Sequence, residues 1–173
     1  MGAYYMACVG KTRYCTHELG NGLKLMEHSY LNNNYCEAIE WKLLNKKKSL
    51  VWLCDYHEKD MMTELTWNNT KEGSIKEAPD TYTEHSPVKY IINHSIQMYF
   101  EKQELSKLLE NEEWMIHPLP ILTNSDDGAM GGGDYHEDDS RRGTWCGHTI
   151  EVRTSDVPSS YKNITKDCIF KER

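Results

Sequence analysis

The chain has 173 residues and a mass of 20.2 kDa, with 27 acidic residues against 20 Lys and Arg, for a net charge of −7. This length fits a single domain with its own core, and 38% hydrophobic against 27% charged residues is a globular balance rather than a disordered one. No apolar run approaches a membrane span, and no basic tract extends beyond Lys46-Lys47-Lys48, which argues against general nucleic-acid binding.

Residues Met1–Lys11 lack the basic start and apolar stretch of a secretory signal, so the expectation is a cytoplasmic protein with no membrane partner. The cysteines (Cys8, Cys15, Cys36, Cys54, Cys146, Cys168) show no Cys-x-x-Cys spacing and sit among apolar or aromatic neighbours, the setting of buried reduced thiols.

In chain order, Ala3–Val9 and Arg13–Thr16 flank a Gly10-Lys11-Thr12 turn, a hairpin signal. The compact stretch Leu23–Tyr30 follows. Asn32–Asn34 then supplies cap chemistry for a helix running to about Lys46, and Leu50–Cys54 reads as a buried strand ending at Asp55-Tyr56-His57. From about 58 to 85, seven acids, three lysines, Gly73 and Pro79 with little periodicity predict a surface insertion. Trp67 within it is a candidate interface anchor. Lys89–Asn93 and Gln97–Phe100 give a second hairpin signal, Lys102–Asn111 is helical in pattern, and Trp114–His117 is a strand that Pro118 and Pro120 confine to an edge or an end. Residues 123–143 form a loop rich in glycine and acid. Thr144–Arg153 alternates as a last strand before a short polar tail.

These elements predict one α+β domain over residues 1–173, a mainly antiparallel sheet with one or two helices on one face. Tyr5-Met6-Ala7-Cys8 leading to Tyr14-Cys15 parallels Tyr90-Ile91-Ile92-Asn93 leading to Tyr99-Phe100, and a helix and an apolar strand follow each hairpin. That order suggests two pseudo-symmetric hairpin–helix–strand halves.

Chemistry is concentrated in three places. Gly131-Gly132-Gly133 opens the backbone to close approach by a ligand, but no Lys-Ser/Thr closes it as a P-loop, and the six acids from Asp126 to Asp139 would repel a bare phosphate. Lys24, Glu27 and His28 form a group able to bind an anion and move a proton if that stretch is helical. Asp55 and His117 end apolar strands, where side chains of sheet proteins reach sites. The expected ligand set is Lys24, Glu27, His28, Asp55, His117, Gly131, Gly132, Gly133, Asp134 and Tyr135. In an enzyme, the catalytic groups would be His28, His117 and Asp134. No motif with metal-ligand spacing is present, and no cofactor is specified.

The series Gly22–Tyr30, Val51-Trp52 with Asp55-Tyr56, Ile91-Ile92-Asn93-His94, His117-Pro118-Leu119-Pro120, Gly131–Tyr135 and Gly143-Thr144-Trp145 resembles small uncharacterised proteins of bacteria and their phages. The resemblance implies a prokaryotic or phage setting and carries over no activity. The leading expectation is a protein that binds a polar, phosphorylated small molecule such as a nucleotide without catalysis; in a phage, it would sequester a signal of host defence. Two alternatives remain: a metal-assisted or His-dependent hydrolase, and an inhibitor that meets a protein partner through the acidic 58–85 insertion.

Overall fold

The computed structural model describes residues 3–55, 63–84, 88–125 and 140–171. Its strands are β1 (Tyr5–Val9), β2 (Thr12–Tyr14), β3 (Lys48–Cys54), β4 (Lys71–Gly73), β5 (Tyr90–Asn93), β6 (Met98–Glu101), β7 (Thr149–Arg153) and β8 (Lys162–Asn163). They form one eight-stranded sheet in the order β4-β2-β1-β3-β7-β5-β6-β8. The helices are α1 (Leu25–His28), α2 (Asn34–Lys42), α3 (Asp80–Thr83), α4 (Lys102–Leu108) and α5 (Pro118–Leu122).

The α+β class holds, but the sheet is mixed rather than mainly antiparallel. The five inner pairings are antiparallel, while the outermost two, β2 with β4 and β6 with β8, are parallel. β4 and β8 are short and polar, so no apolar alternation marks either as a strand.

Alternation along the inner strands sorts the core. Tyr5, Ala7, Leu50, Trp52, Ile91, Phe100, Ile150 and Val152 join the buried side chains of α2, α4 and α5 in one cluster, which places the helices on a single face. Cys8, Val51 and Leu53 face the other way, beneath Leu65, Trp67 and Cys146. Trp67 is therefore a lid on the back of the sheet, with the Arg13 guanidinium 4.3 Å above its ring, and not a free interface anchor.

The two halves match in topology. Ala7 lies opposite Tyr14 and Trp52, as Ile91 lies opposite Phe100 and Val152. After α2, Leu44 forms a parallel bridge to Val152; after α5, Asn124 forms one to Trp52. Each half's helical segment thus reaches the third strand of the other half. The equivalence pairs Ala7 with Ile91, one residue away from the alignment of Tyr5 with Tyr90 that the sequence suggests; a one-residue shift exchanges the faces of a strand. A second antiparallel contact crosses the helical layer, where Tyr30 bridges Ile116 and the Leu31 and His117 amides donate to Met115 and Ser29 carbonyls at 2.9 Å each.

Three further expectations change. The segment Trp114–His117 contributes only the bridge at Ile116, and Pro118 begins α5 because proline at the first helical position loses no hydrogen bond. The described part of the supposed insertion, residues 63–84, contains β4 and α3 and buries Ile75 and Tyr82 at 5% and 2% exposure, so it is part of the domain's core. The strand expected over Thr144–Arg153 is only Thr149–Arg153, with Trp145 in the turn before it, and β8 follows it in the chain. No disulfide joins the six cysteines, and burial lifts the Cys8 thiol to about 11 and the Cys168 thiol to about 12. No described helix is long and apolar enough to cross a membrane.

Candidate functional site

The β5–β6 hairpin places two lysines side by side. Its ladder runs to Tyr90 opposite Glu101 and continues through the Lys102 amide, which donates to the Lys89 carbonyl at 2.9 Å. Like charges in cross-strand positions repel, and Lys102 also begins α4, where the helix dipole disfavours a cation. Both residues are nonetheless buried, at 5% and 7% exposure.

Glu40 offsets this cost. It projects from α2 into the core with no exposed surface. The Lys102 ammonium donates to Oε2 at 2.9 Å and to Oε1 at 3.2 Å, the Tyr82 hydroxyl to Oε1 at 2.5 Å, and His117 Nε2 to Oε2 at 2.7 Å. Burial opposes the charge on this carboxylate, but Lys102, His117 and Tyr82 outweigh it and hold the group below the usual carboxylate range. His117 also caps α5. The Leu119 amide donates to Nδ1 at 3.2 Å, so Nε2 carries the proton given to Glu40, and burial lowers the imidazole's pKa despite that carboxylate.

Lys102, Lys89 and Glu37 then open outward. They line a cleft of about 190 Å³ together with Leu31, Asn32, Gln103, Ser106 and Met115. Glu37 meets the Lys102 ammonium at 3.6 Å, a looser contact than that of Glu40. Burial, and then Glu40, raise the Glu37 pKa; burial, and then Lys102, lower that of Lys89, whose ammonium lies 4.4 Å above the Tyr82 ring. Asn32 and Met115 also belong to an adjoining concavity of about 550 Å³, which contains Tyr30, Trp114, Asn33, Asn34, Glu110, Glu112 and Glu113. There the rings of Tyr30 and Trp114 lie 5.5 Å apart, and Trp114 is 47% exposed. The groove is basic at one end, aromatic and acidic at the other.

Of the expected site residues that lie among the described residues, His117 alone belongs to this cluster, and its role there is structural. Both of its nitrogens are engaged and its ring is fully buried. His28 is likewise enclosed: Nδ1 donates to the Gly22 carbonyl at 2.9 Å, the Trp52 indole donates to Nε2 at 2.9 Å, and burial depresses its pKa to about 4. The expectation that His28 and His117 act as acid or base is therefore corrected, because neither presents a nitrogen to a substrate. Lys24 and Glu27 cap α1, the Lys24 amide donating to the Glu27 carboxylate at 2.9 Å. Asp55 closes the β1–β3 ladder by accepting from the Tyr4 amide at 3.0 Å.

Gly131, Gly132, Gly133, Asp134 and Tyr135 lie outside the described residues. The described positions flanking them attach at the same end of the sheet. Ser125 Oγ accepts from the Cys54 amide at 2.8 Å, and Arg142 donates to the Tyr5 hydroxyl at 3.0 Å. Among the described residues, no three His, Cys, Asp or Glu side chains are grouped to hold a metal ion.

Sequence reasoning missed Lys89, Lys102, Glu40, Glu37 and Trp114 as a group. A signal existed in Glu40, an acid on the apolar face of a helix beside Cys36, Ile39 and Leu43. Comparison of the chain with protein-family models, with curated proteins and with solved structures finds no match.

Proposed function

We propose that this protein binds a polar, phosphorylated small molecule of the nucleotide class, without turning it over, in the groove between α2, α4 and the segment 110–115. The observation that carries this reading is the pairing of two nearly buried ammonium groups, Lys89 and Lys102, at the floor of a cleft that continues into the Tyr30–Trp114 concavity. A phosphate fits the first, displacing the loosely held Glu37 carboxylate from Lys102. A planar base fits against Trp114, with Asn32 and the three glutamates as partners for its polar edges. Two adjoining concavities of this size suit a nucleotide, and enclosed lysines distinguish a phosphate site from a solvated surface. The burial of both histidines supports binding without catalysis.

The test is titration with nucleoside monophosphates, read by calorimetry and by tryptophan fluorescence. Quenching that disappears in Trp114→Phe, tighter binding of nucleotide than of nucleoside, and intact nucleotide recovered afterwards are the expected results. Absence of heat and quenching up to millimolar ligand would remove the proposal. Hydrolysed nucleotide would replace it with an enzymatic one.

A further inference from the structure

A second cationic concavity lies at the opposite end of α2, formed where the β1–β2 turn meets the chain leaving that helix. About 420 Å³ in volume, it is lined by Lys11, Lys42, Lys46 and Lys48, with Thr12 and Tyr14 beneath and no carboxylate in the lining. Lys71 pairs with Thr12 and so shares that residue's face of the sheet. Among the described residues, none of the four lining lysines makes a salt bridge; the Lys42 ammonium sits 4.3 Å above the Tyr14 ring. A helix C-terminus favours a cation, but its dipole amounts to about half an elementary charge, which one lysine satisfies. Four lysines lining one hollow, in a chain whose net charge is −7, exceed that need.

We infer that this hollow is a binding site for a triphosphate chain. Phosphate oxygens would stand among the four ammonium groups, whose mutual repulsion they relieve. The alternative polyanion, a nucleic-acid strand, extends beyond the hollow and meets the field of an acidic protein; a compact oligophosphate stays within about one Debye length of the lysines. Gly10 lies at the rim with φ +63 and nothing within 4 Å of where a Cβ would stand, so the turn leaves the entrance open. This inference does not depend on the nucleotide reading, because the two concavities share no residue.

Calorimetric titration of the full chain with inorganic tripolyphosphate, at low and physiological salt, tests it. One equivalent should bind, more weakly at higher salt, and the pair Lys42→Ala and Lys46→Ala should weaken binding by about tenfold or more. Trp114→Phe should leave this titration unchanged, and the lysine pair should leave the monophosphate titration unchanged. Circular dichroism of the lysine variant confirms that it is folded. The inference is overturned if tripolyphosphate does not bind, if its binding survives in the folded lysine variant, or if single-stranded DNA binds the wild type more tightly than tripolyphosphate.

Discussion

His28 shows how a histidine can serve a fold without chemistry. It joins the Gly22 carbonyl to the Trp52 indole, and Tyr35 packs edge-on against it with ring centroids 5.4 Å apart. Its neutral form is required, and its folded pKa of about 4 lies below the ordinary 6.5. The unfolded chain therefore takes up this proton first as pH falls. Stability from neutral His28 is present in full above about pH 6.5 and declines down to about pH 4, a loss of about 3 kcal/mol for this difference. Denaturant melts across this window should show the slope, and His28→Gln should reduce it; an unchanged slope would assign it to other groups. A second expectation concerns Glu37. Removing its charge in Glu37→Gln frees Lys102 from its weaker partner, so affinity for a phosphorylated ligand should rise several-fold by calorimetry, whereas loss of affinity would make Glu37 a ligand contact.

At the scale of elements, the β5–β6 hairpin and α2 depend on one another through Lys102 and Glu40. Lys102→Met leaves a buried carboxylate without its cation, a change that costs about 3–5 kcal/mol. Pairing it with Glu40→Gln should recover part of this loss, since the amide needs no cation; a double-mutant cycle on unfolding free energies measures the coupling, and strict additivity would deny it. Legibility divided along physical lines here. The hairpins, α2 and β3 carry their own periodicity and caps, with Asn33 accepting from the Tyr35 and Cys36 amides as an Asn-rich helix start predicts. α5 was hidden because its cap is a histidine and its five residues include two prolines. β4 and β8 take their strand character only from the neighbour they pair with. The Lys89–Lys102–Glu40 cluster draws on three segments whose proximity is tertiary, so only Glu40, an acid on an apolar face, was open to discovery from the chain.

For the whole molecule, residues 63–84 are structural. Tyr82 reaches Glu40, the Glu18 carboxylate accepts from the Ile75 amide at 2.6 Å, and β4 covers the β2 edge. Replacing this stretch with a short flexible linker should lower the melting temperature markedly and broaden the transition; a deletion that melts like the wild type would restore the reading of a dispensable surface insertion. The internal repetition was legible as an order of elements. Its register was not, because register follows from which face each strand buries.

The exchange of bridges between the halves bears on how the molecule can be divided. β3 and β7 themselves share only two residue pairs, Lys48 with Ile150 and Ser49 with Thr149, a narrow join for two independent lobes. Leu44 on Val152 and Asn124 on Trp52 cross that join in both directions, so neither lobe is finished until the other has formed. Cutting the chain near residue 86 should therefore yield two pieces that are each largely unstructured in isolation yet reassemble into a native-like heterodimer when mixed, as a split-reporter pair does.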